Sequence, residues 1–336
     1  MSVIDSDGLL EVRGLRTVFD TRAGRVCAVD GVDVSVRRGE CLGVVGESGS
    51  GKSVTFASVM GLIKAPGHID AGDICFDGQN LRQLSVKQMR AIRGRDIAMT
   101  MQDALTALNP ALTVGEQLAE MMIAHDQSLP RNKRERRRLV EQKSVDILQL
   151  VGIPSAKSRL QQYPHEFSGG MRQRIMIAIS LASHPRLLIA DEPTTALDVT
   201  IQAQVLELIS DLRAKLGMSV VLITHDLGVV SEHCDRVMVM YAGQVVEEGP
   251  TESVIRNPQH PYTRGLLGSI PRISKRGEPI QPIDGQVPDL IDLPAQCRFY
   301  SRCQQRSDAC LKYIQMTTLS QDRKVRCVLA EETAHD

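Results

Sequence analysis

A glycine-rich loop that follows an apolar strand constrains this chain more than any other segment. Residues 41–45 are apolar or glycine and predict a buried strand. The predicted nucleotide-binding residues come directly after it: Gly46, Glu47, Ser48, Gly49, Ser50, Gly51, Lys52, Ser53 and Val54. Residues 46–53 fit G-x-x-x-x-G-K-[ST], in which backbone N–H groups surround phosphate oxygens at a helix N-terminus. We expect Lys52 to reach the β- and γ-phosphates and Ser53 to offer its hydroxyl to Mg²⁺.

Strands and helices alternate along much of the chain, which predicts an α/β fold with a largely parallel sheet. Residues 187–190 and 220–224 predict buried strands, and residues 201–216 between them predict a helix that ends at Gly217. Residues 10–45 instead alternate short β-rich runs with Gly and Asp turns. The pattern therefore predicts a β-rich beginning followed by an α/β core.

A block of predicted helices interrupts the alternation. Ser85 is the expected cap of a short helix with Val86, Met89 and Ile92 on one face. Further helices are expected after a capping box at 113–116, over residues 134–151 and over residues 168–183. Because no strand is predicted between residues 113 and 183, we expect a helical insertion over about residues 103–183.

Two adjacent carboxylates end the predicted strand 187–190. The carboxyl end of a parallel strand faces the ligand crevice of an α/β sheet. We expect Asp191 to hold the Mg²⁺ shell and Glu192 to orient and deprotonate the attacking water. Taken alone, an acidic turn after a strand would be the simpler interpretation, and the phosphate loop upstream favours the catalytic one.

A second anion site is predicted where residues 168–183 begin. Ser168, Gly169 and Gly170 offer free N–H groups and little side-chain bulk at a helix N-terminus. The chain already has one phosphate site, so a second one has a use if it faces a nucleotide bound to another subunit. The alternative is a flexible cap before a core helix.

The order of these motifs resembles that of the ABC ATPase family over residues 8–250. The motifs are the phosphate loop, Gln102, 168–170, 191–192, Thr195-Ala196-Leu197-Asp198 and His225. The resemblance implies an ABC ATPase cassette with a RecA-like core, an N-terminal antiparallel β part and a helical insertion. It also implies that Gln102 contacts Mg²⁺ and senses the γ-phosphate, and that His225 contacts the γ-phosphate. Ser168, Gly169, Gly170 and Asp198 would face the ATP of a partner, although Phe167 and Met171 depart from the usual L-S-G-G-Q.

Longer segments resemble the ATPases of dipeptide and oligopeptide importers. They are 101–103, 108–110, 163–166, 189–200, 260–263 and 287–289. The resemblance implies a second ABC ATPase subunit in a heterodimer, two transmembrane permease subunits and an extracytoplasmic solute-binding protein. It implies a peripheral position on the cytoplasmic face of the inner membrane, with ATP and Mg²⁺ as ligands. Importers of nickel, glutathione or another small solute share the architecture, and a soluble non-transport ABC ATPase is a further alternative.

Four cysteines lie close together near the C-terminus. Proline becomes frequent after about residue 256, so we expect an ABC nucleotide-binding domain over 1–255 and an extension over 256–336. The extension contains Cys297, Cys303, Cys310 and Cys327. Four thiolates suit a structural Zn²⁺ or a [4Fe–4S] cluster, and unligated thiols are the third possibility. The resemblance to dipeptide-permease ATPases implies the iron–sulfur cluster.

Composition excludes some classes of function. Forty Lys and Arg balance forty Asp and Glu, which argues against a nucleic-acid partner. No apolar run approaches the roughly 20 residues of a membrane span, and residues 1–7 do not form a signal peptide, so a cytosolic chain is expected. The basic run 131–138 is interpreted as a solvated helix face rather than a lipid contact. Phe19 is a weak candidate for stacking on adenine.

Overall fold

The computed structural model describes residues 8–126, 128–195, 197–269, 283–320 and 322–332. Residues 1–7 and Ala196, which entered the predictions above, lie outside the described residues. The chain divides into two compact units, Met1–Gln83 with Leu222–Asp336 and Leu84–Val221. We describe each unit by itself.

The described residues form the following strands and helices. The strands are Gly8–Thr21 (β1), Gly24–Arg37 (β2), Cys41–Val45 (β3), Gly67–Phe76 (β4), Gln79–Asn80 (β5), Ile97–Thr100 (β6), Leu187–Asp191 (β7), Ser219–Thr224 (β8), Arg236–Tyr241 (β9), Gln244–Pro250 (β10), Thr317–Ser320 (β11) and Arg323–Val325 (β12). The helices are Lys52–Val59 (α1), Val86–Ile92 (α2), Ala104–Ala107 (α3), Val114–His125 (α4), Lys133–Leu150 (α5), Ala156–Arg159 (α6), Gly169–Leu181 (α7), Val199–Leu216 (α8), Leu227–His233 (α9), Thr251–Arg256 (α10), Pro261–Gly268 (α11) and Leu329–Glu332 (α12).

The first unit contains an antiparallel sheet and part of a mixed one. The antiparallel sheet has the order β2-β1-β4-β5, as the β-rich beginning of the sequence predicted. In the mixed sheet, β3 runs parallel to β9, and β9 pairs antiparallel with β10. Ala242 and Gly243 join β9 to β10 with φ values of 47° and 84°, the two positive angles of a type I′ hairpin turn. The α/β class is confirmed, and this hairpin makes the sheet mixed.

The C-terminal residues add strands and contacts to the first unit. Strand β12 pairs with β10, and β11 pairs with β12. Glu247 on β10 is fully buried, and it accepts hydrogen bonds from the backbone N–H groups of Gln259 and His260 and from Arg323. A buried carboxylate requires such partners, and Glu247 therefore ties two separate segments, residues 259–260 and Arg323, to β10. The predicted division at residue 255 stays a prediction.

The second unit is mainly helical. Strands β6 and β7 pair in parallel. Along the chain, α2 precedes β6, the helices α3 to α7 lie between the two strands, and α8 follows β7. The cap at Ser85 and the capping box at Thr113 are confirmed, and Ser85 also proves to form a capping box with Gln88. Gly217 ends α8 with φ 63°. The helix that carries Val86, Met89 and Ile92 forms as predicted, but Val86 is 75% exposed and does not share the burial of the other two. It occupies the first position of α2, beside an exposed capping box, while Met89 and Ile92 are buried further along.

Aromatic side chains of three segments meet in the core of the first unit. Tyr241 at the end of β9, Tyr262 on α11 and Phe299 have ring centroids 4.6 to 5.4 Å apart. His260 packs against Phe299 and is buried. Its Nδ1 accepts a hydrogen bond from the N–H of Tyr262 and thereby caps α11. The chain has few aromatic residues, and several of them are concentrated here.

Within the described part of the chain, no helix combines the length and apolar composition needed to cross a bilayer.

The buried His260 predicts an acid-sensitive fold. Burial lowers the pKa of His260 to about 3, so the imidazole is neutral in the folded protein and titrates at its ordinary pKa when unfolded. As pH falls from about 6.5 towards 3, the unfolded state takes up this proton first, and stability falls by up to about 1.4 kcal/mol per pH unit. His260→Asn keeps a capping acceptor but does not titrate, so its stability should fall less steeply.

Denaturant unfolding at several pH values between 6.5 and 4 measures this slope. His68→Asn is the matched control, since His68 is an exposed histidine of the same unit, and its slope should equal that of the wild type. Equal slopes for wild type and His260→Asn would contradict the assignment.

Candidate functional site

The phosphate loop connects β3 to α1, as the sequence predicted, and its glycines lie against backbone. A Cβ atom on Gly46 would lie 2.1 Å from the carbonyl oxygen of Met240. A Cβ atom on Gly51 would lie 2.5 Å from the carbonyl oxygen of Ala28, and Gly51 has φ 99°. Glycine is therefore required at both positions by close approach, and at Gly51 by conformation as well.

Lys52 begins α1 and folds over the loop. Its ammonium donates to the carbonyl oxygens of Gly46 at 2.6 Å and Glu47 at 2.9 Å, and the residue is only 5% exposed. Ser53, next on the helix, is exposed. A fixed ammonium beside the N-terminal N–H groups of a helix is an arrangement that suits a phosphate group.

Gln102 and Glu192 come together in the second unit. Strand β7 ends at Asp191, which is 8% exposed, and Glu192 follows with φ 44°. The amide Nε2 of Gln102 donates to Glu192 Oε2 at 3.0 Å. Thr195 Oγ1 donates to the same oxygen at 2.9 Å. Two residues predicted to be catalytic are therefore in contact, and Thr195 is a further partner that the sequence analysis did not single out.

His225 lies in the first unit. It follows β8 directly and is exposed. The next residue, Asp226, caps α9 by accepting from the N–H of Gly228 at 2.7 Å. The position after a buried strand is that predicted from the sequence, and the proposed contact of His225 with a γ-phosphate stays a prediction.

The residues predicted to face a partner's nucleotide are linked within the second unit. Ser168 caps α7, as predicted, and accepts from the N–H of Met171 at 3.4 Å. A Cβ atom on Gly170 would lie 2.6 Å from Cγ2 of Ile201, whereas Gly169 has more space. Asp198 caps α8 by accepting from the N–H of Ile201 at 3.0 Å. Ile201 therefore joins the two motifs, a connection that spacing in the sequence could not reveal.

The four C-terminal cysteines lie near one another. Cys303, Cys310 and Cys327 are buried, and the N–H of Cys297 donates to the carbonyl oxygen of Cys310 at 3.0 Å. Burial raises the pKa of Cys297 to about 11, with smaller contributions from the three other thiols. Among the described residues, no three or more His, Cys, Asp or Glu side chains are arranged to hold a single metal ion. The thiols are thus close enough to interact but are not placed as the ligands of one ion.

An ion pair joins the phosphate loop to the C-terminal residues. Arg302 donates to both carboxylate oxygens of Glu47, at 2.6 and 3.1 Å. The N–H of Glu47 donates to the hydroxyl of Tyr262 at 2.9 Å. The sequence analysis missed Arg302, because nothing in the local pattern relates it to a residue 255 positions earlier.

Phe19 and the basic run 131–138, the candidates for an adenine contact and a lipid contact, lie outside the sites described so far. The half-buried Phe19 lies against Gly67, where a Cβ atom would approach the ring to 2.4 Å. The basic run 131–138 is mostly exposed at the start of α5, with Asn132 as its cap. The adenine contact of Phe19 stays a prediction.

Comparison with known families matches two parts of the chain. Residues 29–195 match the family described as ABC transporter. Residues 246–310 match the family described as oligopeptide/dipeptide transporter, C-terminal region.

Relatives of known name match nearly the whole chain. The dipeptide transport ATP-binding protein DppD of Bacillus subtilis is 49% identical over 328 residues, which cover 97% of this chain and 96% of that protein. The oligopeptide transport ATP-binding protein AppD of the same organism is 48% identical and covers 96% of this chain, with 97% of its own length matched. The dipeptide transport ATP-binding protein DppD of Haemophilus influenzae is 44% identical and covers 95%, with 94% of its own length matched.

Solved structures match the cassette part. The dimeric ATP-binding cassette MJ0796, in a post-hydrolysis state with ADP and phosphate, has a TM-score of 0.63 and 25% identity, and covers 72% of this chain and 99% of its own. Structure cbiO1 from Clostridium perfringens has a TM-score of 0.63 and 26% identity, and covers 75% of this chain and 92% of its own. The chain shares nearly half of its residues with named ATP-binding proteins of transporters over almost its full length, and it has the phosphate loop and the Gln102–Glu192 contact described above. It therefore belongs to the ABC transporter family of ATP-binding proteins.

Proposed function

We propose that this chain hydrolyses MgATP and thereby powers the import of dipeptides or oligopeptides. The contact of Gln102 with Glu192, 3.0 Å long, carries the proposal. Glu192 has φ 44°, and a non-glycine residue in this region costs on the order of 1–3 kcal/mol and persists mostly at functional sites. The names of the relatives support peptides as the substrate class.

The chemistry follows from the donors and acceptors at these residues. Lys52 and the N–H groups of residues 46–54 bind the phosphate oxygens, and Glu192 accepts a proton from the attacking water. Ser53, Gln102 and Asp191 would hold Mg²⁺, which supplies positive charge to the β- and γ-phosphates. Gln102 donates to the carboxylate of Glu192 and so orients its other oxygen towards water. His225 would contact the γ-phosphate during the same step.

Hydrolysis requires a second ATPase chain in this proposal. Ser168, Gly169 and Gly170 bind the γ-phosphate of a nucleotide held by the partner, and Asp198 lies at the interface. The N-terminal turn of α7 suits this role, because Ser168 and Gly169 are exposed and Gly169 has space beside its Cα atom. Relatives of the dipeptide-permease type lead us to propose a heterodimer.

The ATPase pair would dock on two transmembrane permease subunits at the cytoplasmic face of the inner membrane. An extracytoplasmic solute-binding protein would deliver the substrate to this complex. The segment from Gln102 to α4 is the proposed dock, because Gln117 on α4 holds the loop at Asn109 and Leu112 through three hydrogen bonds. Import of nickel, glutathione or another small solute by the same architecture is the alternative.

An iron–sulfur cluster in the extension is the finer part of the proposal. Cys297, Cys303, Cys310 and Cys327 supply four soft donors, the number that a [4Fe–4S] cluster requires. Burial is the main cause that raises the pKa of Cys297, and the three other thiols contribute to it, so the four side chains are near one another. The proposal therefore rests on the number and chemistry of these thiols and on the resemblance to dipeptide-permease ATPases. The cluster would tie together an extension, residues 256–336, that is rich in proline.

Glu192→Gln tests the catalytic assignment. It removes the base and leaves the phosphate loop intact, so ATP binding should persist while turnover falls about 10²- to 10⁴-fold. Lys52→Ala should instead weaken MgATP binding. Glu207→Gln is the matched control, since Glu207 is exposed on α8, and its turnover should equal that of the wild type. The assay uses the assembled transporter with each ATPase chain varied in turn, and wild-type turnover in every Glu192→Gln combination would refute the assignment.

Photo-crosslinking tests the dock. A photoreactive residue at Ala111, exposed in the loop before α4, should crosslink to a permease subunit in the whole complex. The same probe at Asp211, exposed on α8, is the control and should not. Crosslinks to the permease from Asp211 and none from Ala111 would contradict the proposed dock.

Anaerobic purification tests the cluster. The full-length chain should show visible absorption and about four iron and four sulfide ions per chain, as a [4Fe–4S] cluster requires. Cys303→Ser should lose them, whereas Cys75→Ser, in the cassette, should retain them. A colourless protein with stoichiometric zinc, or a metal-free but folded extension, would overturn the cluster.

A further inference from the structure

We propose that Arg302 is a positioning residue for the nucleotide, because it neutralises Glu47 and holds the first turn of the phosphate loop. The inference rests on the proposed function, in that it takes residues 46–54 as the MgATP site. It assigns to the C-terminal extension a part in nucleotide affinity.

The ion pair is partly buried and geometrically specific, since the side chain of Glu47 is 29% exposed. The side chain of Arg302 is 5% exposed, and its two terminal nitrogens pair with the two oxygens of Glu47. A bidentate guanidinium–carboxylate pair is stronger and better oriented than a single charged contact. Hydrogen bonding with Glu47 raises the pKa of Arg302, so the cation persists at every physiological pH.

Other residues of the C-terminal extension, together with Tyr241, hold the guanidinium in place. Its Nε donates to the carbonyl oxygen of Asp284 at 2.8 Å, and Nη2 donates to that of Ile283 at 3.1 Å. Its charge also lies 5.7 and 5.9 Å from the ring centroids of Tyr241 and Phe299. Arg302 is therefore a rigid part of the extension and not a mobile surface cation.

Glu47 is held at its backbone as well. Its N–H donates to the hydroxyl of Tyr262, whose ring lies in the aromatic core. Its carbonyl oxygen accepts from Lys52 at 2.9 Å. One residue of the loop thus connects the extension to the lysine that is proposed to bind phosphate.

Charge gives the expected sign of the effect. Glu47 places a carboxylate within the loop that binds a polyanion, and an unpaired carboxylate there would repel MgATP. Charges about 10 Å apart near a protein surface interact by roughly 1 kcal/mol after screening, which corresponds to about a fivefold change in affinity. Arg302 cancels this repulsion, and removal of both charges should therefore cost less than removal of Arg302 alone.

The test measures Kd for MgATP in the full-length chain, with all variants built on Glu192→Gln so that the nucleotide survives. Arg302→Met should raise Kd about fivefold. Adding Glu47→Gln to Arg302→Met should return Kd to within about twofold of the parent value, a rescue that loss of folding could not produce. Arg306→Met is the matched control, because Arg306 is an exposed arginine of the same segment that packs on Tyr300, and Kd should not change.

A parent-like Kd for Arg302→Met, or a double variant as weak as Arg302→Met, would overturn the inference. If Arg302→Met does not fold, Arg302→Gln, which removes the charge but keeps a polar side chain, decides with and without Glu47→Gln by the same rescue criterion. Lys52→Ala separates the two proposals: unchanged binding there refutes the nucleotide site itself. Lost binding in Lys52→Ala with unchanged binding in Arg302→Met refutes only the role of Arg302.

Discussion

The close approach of the phosphate loop to neighbouring backbone is the constraint on which the rest of the first unit depends. Gly51 touches the carbonyl of Ala28 on β2, and Gly243 in the hairpin turn donates to the carbonyl of Ser50 at 2.9 Å. Gly243 in turn accepts from the N–H of Asp30 on β2 at 2.8 Å. The loop is therefore held between β2 and the β9–β10 hairpin. Its N–H groups have a fixed conformation before any phosphate binds. Such preorganisation lowers the cost of binding an anion.

In the second unit, hydrogen bonds connect the predicted water-activating residue to the predicted docking segment. Glu192 binds Gln102 directly, and the chain continues from Gln102 through α3 to a loop that Gln117 holds against α4. If Gln102 shifted in response to the γ-phosphate, the shift would reach the loop before α4, because the segment between them is short and hydrogen-bonded to Gln117. Ile201 similarly links the cap of α8 to Gly170, so that Asp198 and the N-terminus of α7 are packed together.

The sequence predicted those parts of the fold whose causes are local. Glycine spacing located the phosphate loop, a serine cap located α2, a capping box located α4, and apolar runs located β3, β7 and β8. It did not predict that β12 pairs with β10, because the partner residues Glu247 and Val325 are far apart in the chain and neither has a local pattern that indicates the other. Arg302 was missed for the same reason. The role of Gln102 came from the resemblance, and its contact with Glu192 was not predicted, since periodicity cannot place two side chains 90 positions apart.

The central claim is that two ATPase chains share each nucleotide, and a structure of the assembled transporter trapped with MgATP tests it most directly. Cryo-electron microscopy of the complex with Glu192→Gln should show ATP bound by residues 46–54 of this chain and capped by the Ser-Gly-Gly turn of the second ATPase. Residues 168–170 of this chain should in turn contact the nucleotide of that partner. A complex in which nucleotide occupies the phosphate loop while Ser168, Gly169 and Gly170 remain in solvent would contradict the account.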